Sequence, residues 1–287
     1  MYFDKLKEIF LMVTTECNWS CKHCYLPSVK KMSYELIEQI IKELGKDYKI
    51  TFLGGEILTD WEFIKYFPEI NQNYILTNGL ELIENPHAYD TLKANGIDTI
   101  SLSYYFDYEQ YFCGVDKAIV EKVIEEAKKQ SFTVTLNTVI GNFNVNDVQK
   151  MCARAVSLNV DGLRFHNYIN MGNGAQYRDY LLDTKQIELF FEQLQIAREK
   201  FKDRLVIKYH RSFGACPGTN EEKMKECNRL CWAGTEYIVI DANKKIYSCP
   251  FIIGEGLEIG EYKDGKLVKT GGLMEENRKE CIAYYYT

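Results

Sequence analysis

The chain predicts an α/β fold, a partial (β/α)6 barrel followed by a small C-terminal extension. Three observations carry this. Short apolar β-type runs alternate with helical patterns through the first two-thirds of the sequence, the signature of a parallel sheet with helices outside. The strand–helix units number six and fall short of a full eight-unit barrel, so the sheet is expected to stay open. After Phe213 the composition changes to five cysteines, several glycines and only short strand-like pieces. So few apolar residues cannot build a core alone. The expected division is 1–213 for the barrel and 214–287 for the extension.

The elements follow in order. Ile9 to Val13 is an apolar first strand, and a cysteine-bearing loop leaves it. Ser33 is placed to cap a helix in which Ile37, Ile40, Ile41 and Leu44 recur at helical spacing, with Gly45 at its end. Lys49 to Leu53 is the second strand. Tyr74 to Thr77 is the third, closed by Asn78-Gly79. Pro86 opens a helix that Gly96 stops, and Thr99 to Tyr104 is the fourth strand. Ile119, Val123 and Ala127 line the next helix before strand five, Thr133 to Val139. Val148, Met151, Ala155 and Leu158 do the same before strand six, Leu163 to Tyr168. A long helix from about Lys185 to Lys200 and a strand Leu205 to Tyr209 complete the series.

Bulk properties exclude several functions. With 287 residues, 46% of them hydrophobic, there is material for one sizeable core and a smaller appendage. A net charge of −6 with no basic stripe argues against nucleic acid as a partner. No apolar run reaches the length of a membrane span, and no signal-peptide pattern opens the chain, so a cytoplasmic location is expected. Ten cysteines in a reducing compartment point to metal binding or thiol chemistry instead of disulfides.

The sharpest motif is Cys17, Cys21 and Cys24, spaced C-x3-C-x2-C and followed at once by Tyr25. Three close thiolates hold a soft metal centre and leave one coordination position open. Gly54, Gly55 and Glu56 leave the end of strand two, so they face the same cavity as the cysteine loop. Taken alone, the cysteine spacing also suits a zinc site with His23 or a distant residue as fourth ligand.

In this combination the chain resembles the radical S-adenosylmethionine (SAM) superfamily, in order from about Ile9 to Phe213. The resemblance implies that Cys17, Cys21 and Cys24 ligate a [4Fe–4S] cluster whose fourth iron binds SAM. It implies that Gly54, Gly55 and Glu56 hold the methionine amine and that Tyr25 packs near the adenine. By the same resemblance, Thr77, Ser101 and Asn137 fall where ribose or carboxylate contacts are common. Such clusters span roughly −700 to +450 mV, and the reducing end cleaves SAM to a 5′-deoxyadenosyl radical. Flavodoxin or ferredoxin is the implied electron donor. Many relatives carry Ser-Leu-Asp-Gly after strand four and then an arginine for the cofactor carboxylate. Here Ser101 to Phe106 departs from that pattern, and no arginine appears between there and Arg154, which leaves Arg164 as the candidate. The aromatic stretch Tyr104 to Phe112 reads equally as a substrate groove or as a cover over the top loops.

Cys231 through Gly234, followed by Cys249-Pro250, resembles the opening of SPASM and twitch extensions. The usual turn glycine is Lys244 here, with Asn243 beside it. The resemblance implies one auxiliary [4Fe–4S] cluster on Cys227, Cys231, Cys249 and Cys281. A zinc knot of the same four, and Cys216 in place of Cys227, stay open. Cys152 reads as a core residue and Cys113 as undecided.

Enzymes with such extensions mostly modify peptides. The expected function is maturation of a ribosomal peptide under anaerobic conditions, either by cross-linking or oxidation, or by epimerisation with Cys216 as hydrogen-atom donor. The alternatives are a twitch-type dehydrogenase of a small molecule and, outside enzymes, an iron–sulfur electron carrier.

Overall fold

Seven parallel strands form the arc that the sequence predicts, and an eighth joins it from the extension. The computed structural model describes residues 3–26, 30–213 and 232–271. The arc is β1 (Glu8–Thr14), β2 (Lys49–Gly54), β3 (Tyr74–Thr77), β4 (Thr99–Ser103), β5 (Thr133–Ile140), β6 (Gly162–Asn167) and β7 (Val206–Tyr209). Around it lie α1 (Tyr34–Leu44), α2 (Leu80–Glu84), α3 (Ala88–Ala94), α4 (Glu109–Cys113), α5 (Lys117–Lys129), α6 (Val148–Ser157) and α7 (Thr184–Phe201). The fold is therefore mixed α/β on a parallel sheet, as expected. Neither α2 nor α4 was anticipated, because five residues are too few to display a helical period.

The caps explain where the helices begin. Ser33 Oγ accepts from Leu36 N at 3.3 Å. Asp183 and Gln186 form a reciprocal capping box that starts α7. Pairing fixes which side chains share a face. On β4 and β5, Ser101 lies opposite Thr135 and Ser103 opposite Asn137. Asn137 lies opposite Arg164, and Arg164 opposite Lys208. These polar positions face the inside of the arc. Their neighbours in sequence, Ile100, Leu102, Val134, Leu136 and Phe165, are fully buried on the other face beneath the helices. Cys152 on α6 is fully buried in the same layer, as expected of a core residue.

The extension continues the sheet. Strand β8 (Tyr237–Ile240) pairs parallel with β1, Glu8 opposite Tyr237 through Leu11 opposite Ile240. Strands β9 (Lys245–Tyr247), β10 (Gly260–Lys263) and β11 (Lys266–Lys269) then add antiparallel, giving the order β11-β10-β9-β8-β1-β2. The boundary expected at 213/214 falls where a stretch of described residues ends. Among the described residues, no helix is long and apolar enough to cross a membrane.

The ladder is broken between β2 and β3, which belong to different sheets. The buried Gln72 side chain spans the break. Its Oε1 accepts from Phe52 N at 2.7 Å, and its Nε2 donates to Tyr74 O at 3.1 Å and Phe52 O at 3.4 Å. One amide thus stands in for a missing strand partner. Replacing Gln72 with leucine keeps the volume and orphans these backbone groups, at about 1–3 kcal/mol for each buried group left unpaired. A loss of about 3 kcal/mol is expected in urea denaturation at unchanged m-value. A loss within ~0.5 kcal/mol would show that the break needs no bridge.

Candidate active site

The cysteine loop is tied to the ends of the first three strands. Gly55 N donates to Thr14 O at 2.9 Å, and Glu56 N donates to Glu16 O at 2.8 Å. A Cβ at Gly55 would overlap the Glu16 carbonyl oxygen, so glycine lets the start of the loop lie directly on the end of β2. Glu56 is 1% exposed. Its Oε1 accepts from Leu58 N at 3.1 Å and its Oε2 from Asn78 N at 2.6 Å. Burial raises its pKa to about 7, against the pull of these amides and of the Thr77 hydroxyl. Thr77 itself is buried, and its Oγ1 accepts from Gly79 N at 3.0 Å.

Two N–H groups point at the first cysteine sulfur. Trp19 N lies 3.4 Å from Cys17 Sγ and Asn78 Nδ2 lies 3.8 Å from it. Donors of this kind favour a thiolate, so the loop suits a thiolate-ligated cluster. Without metal, burial pushes the Cys17 thiol up to about 11, and burial raises Cys24 as well. Among the described residues, no three His, Cys, Asp or Glu side chains gather around a point that one ion could fill. His23 packs edge-on against Tyr105 and Phe112, at 4.6 and 5.3 Å between ring centroids, and burial lowers its pKa to about 4.

The far wall of the loop is α4. Lys22 N donates to Phe112 O at 2.9 Å, and Lys22 Nζ lies 3.8 Å above the Tyr111 ring. Cys113, the last residue of α4, brings its Sγ to 3.2 Å from Cys21 Sγ. Their shared hydrogen bond lowers the Cys21 pKa and raises that of Cys113. Tyr104, Tyr105, Phe106 and Phe112 are buried. The stretch thus packs as a cover beside the cysteine loop, while Tyr104, Phe106 and Tyr108 also line a cavity of about 410 Å³. Within the stretch Glu109 is 1% exposed; its Oε1 accepts from Tyr105 N at 2.5 Å, and its Oε2 has no hydrogen-bond partner among the described residues. Burial raises Glu109 to about 7.

Inside the arc lies a cavity of about 760 Å³. Tyr25, Ser101, Asn137, Arg164, His166 and Lys208 line it, and so do Cys249 and Phe251 from the extension. Ser101 Oγ accepts from Asn137 Nδ2 at 2.7 Å and from Thr135 Oγ1 at 2.9 Å. Asn137 Oδ1 faces His166 Nε2 at 3.3 Å. With the Asn137 amide nitrogen committed to Ser101, the oxygen accepts, which assigns the proton to His166 Nε2. Burial holds His166 neutral, and its ring stacks on His210 at 5.2 Å. Tyr25 packs edge-on to Phe251 at 4.7 Å. Its phenol is raised above its ordinary value by burial and by the neighbouring Cys24 and Cys249 sulfurs.

The structure therefore brings Tyr25, Ser101 and Asn137 to one cavity and Gly54, Gly55, Glu56 and Thr77 to the base of the cysteine loop. Arg154 is engaged elsewhere, pairing with Glu121 at 2.8 Å, while Arg164 faces the cavity. Cys216, Cys227, Cys231 and Cys281 lie outside the described residues. Sequence reasoning missed Asn78, His166 and His210 and left Cys113 undecided. The Asn-Gly pair signalled only a turn, and the histidines carry no spacing motif.

An open parallel barrel with a three-thiol loop at the end of β1 defines a class of protein, one that mounts a thiolate-held centre over a polar lumen. The chain belongs to the radical SAM superfamily, whose pattern matches residues 11–155. It is therefore a radical SAM enzyme, and the family implies a [4Fe–4S] cluster and SAM. It is 24% identical to the putative peptide biosynthesis protein YydG of Bacillus subtilis strain 168 over 149 residues, 47% of this chain and 46% of YydG. It is 25% identical to a probable GTP 3′,8-cyclase of Methanosarcina acetivorans over 294 residues, 93% of this chain and 84% of that protein. In fold it is similar to Streptococcus suis SuiB, solved bound to its precursor peptide SuiA. That match has a TM-score of 0.70 at 15% identity and covers 89% of this chain and 62% of SuiB. The chain thus spans less than two thirds of YydG and of SuiB.

Two buried carboxyls set a pH dependence. Glu56 and Glu109 are raised to about 7 from an ordinary 4.5. Between those values the native chain holds protons that the unfolded chain has released, so stability falls as pH rises through this window. Replacing Glu109 with glutamine should flatten part of that fall. Relative to wild type, the variant should gain on the order of 1–3 kcal/mol between pH 5 and pH 8 in denaturant titrations. A parallel pair of stability–pH curves would refute the assignment for Glu109.

Proposed function

We propose that this enzyme matures a peptide, cleaving SAM reductively at the barrel mouth and modifying the substrate in the lumen. The observation that carries the reading is the shared cavity: Tyr25, beside the first cysteine set, and Cys249, from the second, line one space of about 760 Å³. A substrate held there touches both Tyr25 and Cys249. The names of YydG and of the SuiB–SuiA complex support a peptide as that substrate.

In this reading Cys17, Cys21 and Cys24 hold a [4Fe–4S] cluster, and Gly54, Gly55 and Glu56 shape the methionine end of the SAM site. When bound, the cluster and SAM supply a hydrogen-abstracting radical. The chain's own residues orient and exclude. Tyr25 walls the adenine side, and the Ser101–Asn137–His166 chain presents fixed dipoles to the ribose. Arg164 offers the charge for a carboxylate, and the buried Tyr105 and Phe112 pack on His23 inside the cysteine loop. Cys227, Cys231, Cys249 and Cys281 would form the auxiliary [4Fe–4S] site of the 214–287 extension, taking up the electron left after cross-linking or oxidation. Cys216 would donate a hydrogen atom if the outcome is epimerisation. Flavodoxin or ferredoxin would supply the electron.

A second reading rests on a different observation. Arg164 and Lys208 stand side by side on β6 and β7 facing the lumen, with no salt bridge among the described residues. That suits an anionic small molecule such as a nucleotide, and the Methanosarcina relative favours it.

The test is anaerobic turnover with SAM and dithionite. It uses the peptide encoded in a neighbouring reading frame or, separately, GTP. Peptide maturation predicts a two-hydrogen mass loss or solvent deuterium at an α-carbon. If only GTP raises 5′-deoxyadenosine above the uncoupled rate, the peptide reading is wrong. Two variants separate the centres. Cys17→Ala should abolish 5′-deoxyadenosine formation. Cys249→Ala should retain it while iron falls from about eight to about four per chain. A wild-type content near four irons would remove the auxiliary cluster.

A further inference from the structure

We propose that Cys113 is a positioning residue for the cluster-binding loop: its thiol donates a hydrogen bond to the Cys21 sulfur and thereby raises the reduction potential of the cluster that Cys21 helps to hold. The inference rests on family membership and goes beyond the peptide reading.

The geometry is fixed from both sides. Cys113 is 8% exposed at the end of α4, and Gly114, at φ +70°, turns the chain away directly after it. The Phe112 carbonyl holds Lys22 N at 2.9 Å, and the Phe112 ring packs against His23. The residues on either side of Cys21 and Cys113 are therefore clamped together. The two sulfurs sit 3.2 Å apart, and Cys21 is the hydrogen-bond partner of Cys113 among the described residues.

Iron binding requires Cys21 as thiolate, an acceptor, which leaves Cys113 S–H as the donor. Hydrogen bonds to ligating sulfurs stabilise the more negative, reduced cluster and so raise its potential. Trp19 N and Asn78 Nδ2 act on Cys17 in the same sense. Cys113 would extend this donor set to a second ligand, adding a side-chain donor alongside the backbone N–H of Cys21 itself.

The test uses the full chain, reconstituted anaerobically as wild type, Cys113→Ala and Cys113→Ser. Potentiometric titration followed by EPR tracks the signal that changes on adding SAM, which separates this cluster from any other. Cys113→Ala should keep its iron yet be harder to reduce. At a fixed poise its reduced-to-oxidised ratio should fall by about tenfold, equivalent to about 59 mV for one electron. Cys113→Ser keeps a donor and should return most of the way to wild type. An unchanged midpoint in the alanine variant overturns the proposal. So does a serine variant that behaves like alanine, since packing would then be the cause. Loss of the SAM-responsive cluster from both variants would also overturn it, by making Cys113 a ligand.

Discussion

One buried carboxyl group, that of Glu56, holds the ends of three strands together. Glu56 leaves β2, donates its own N–H to the loop after β1, and accepts the N–H of Asn78 just beyond β3. Asn78 in turn reaches Asn18 and the Cys17 sulfur. The cysteine loop therefore inherits its position from a network that closes through one buried side chain. Its raised pKa reflects what that network costs: the amides do not fully replace lost hydration. Bending the loop toward iron means bending three strand ends at once, which is how a loop of eight residues can be held for chemistry.

The same logic explains why the lumen can be polar. In many barrels the interior is a packed stack of aliphatic side chains. Here the helix-facing side of β4, β5 and β6 carries the buried apolar residues, and the inward side carries Ser101, Thr135, Asn137, Arg164 and His166. Stability comes from the outer layer, so the inner face is released for binding. Charge follows the same division. The chain is acidic overall at −6, yet Arg164 and Lys208 give the lumen two cations.

Local order was legible in the sequence because it rests on local rules. The Ser33 cap, the strand–helix alternation and the spacing of Cys17, Cys21 and Cys24 each depend on neighbours a few residues away. Contacts across the fold were not. Nothing near Gln72 shows that its amide replaces a strand, and nothing near Cys113 shows that Cys21 is its partner 92 residues away. Glu56 read as an acceptor for a cationic group, while its oxygens also serve two backbone amides that only the fold brings near. In the extension, Lys244 stands where a turn glycine is usual, with Asn243 beside it. Lys244 itself takes φ +64°, and Asp241 Oδ1 steadies the turn by accepting from Asn243 N and Lys245 N, both at 2.9 Å.

The pairing of β8 with β1 matters most for how Cys249 is related to the first cysteine set. A separately folded extension could swing relative to the barrel. A strand added to β1 cannot, because β1 also carries the cysteine loop at its end and pairs with β2 on its other edge. Phe10 on β1 meets Tyr237 on β8 edge-on at 5.3 Å, and Tyr25 meets Phe251 in the same way at 4.7 Å. Cys249, two residues beyond β9 and buried at 3% exposure, is thereby held against the wall that Tyr25 forms. Whatever occupies the lumen faces both segments at a distance set by sheet spacing, which side-chain motion alone cannot change.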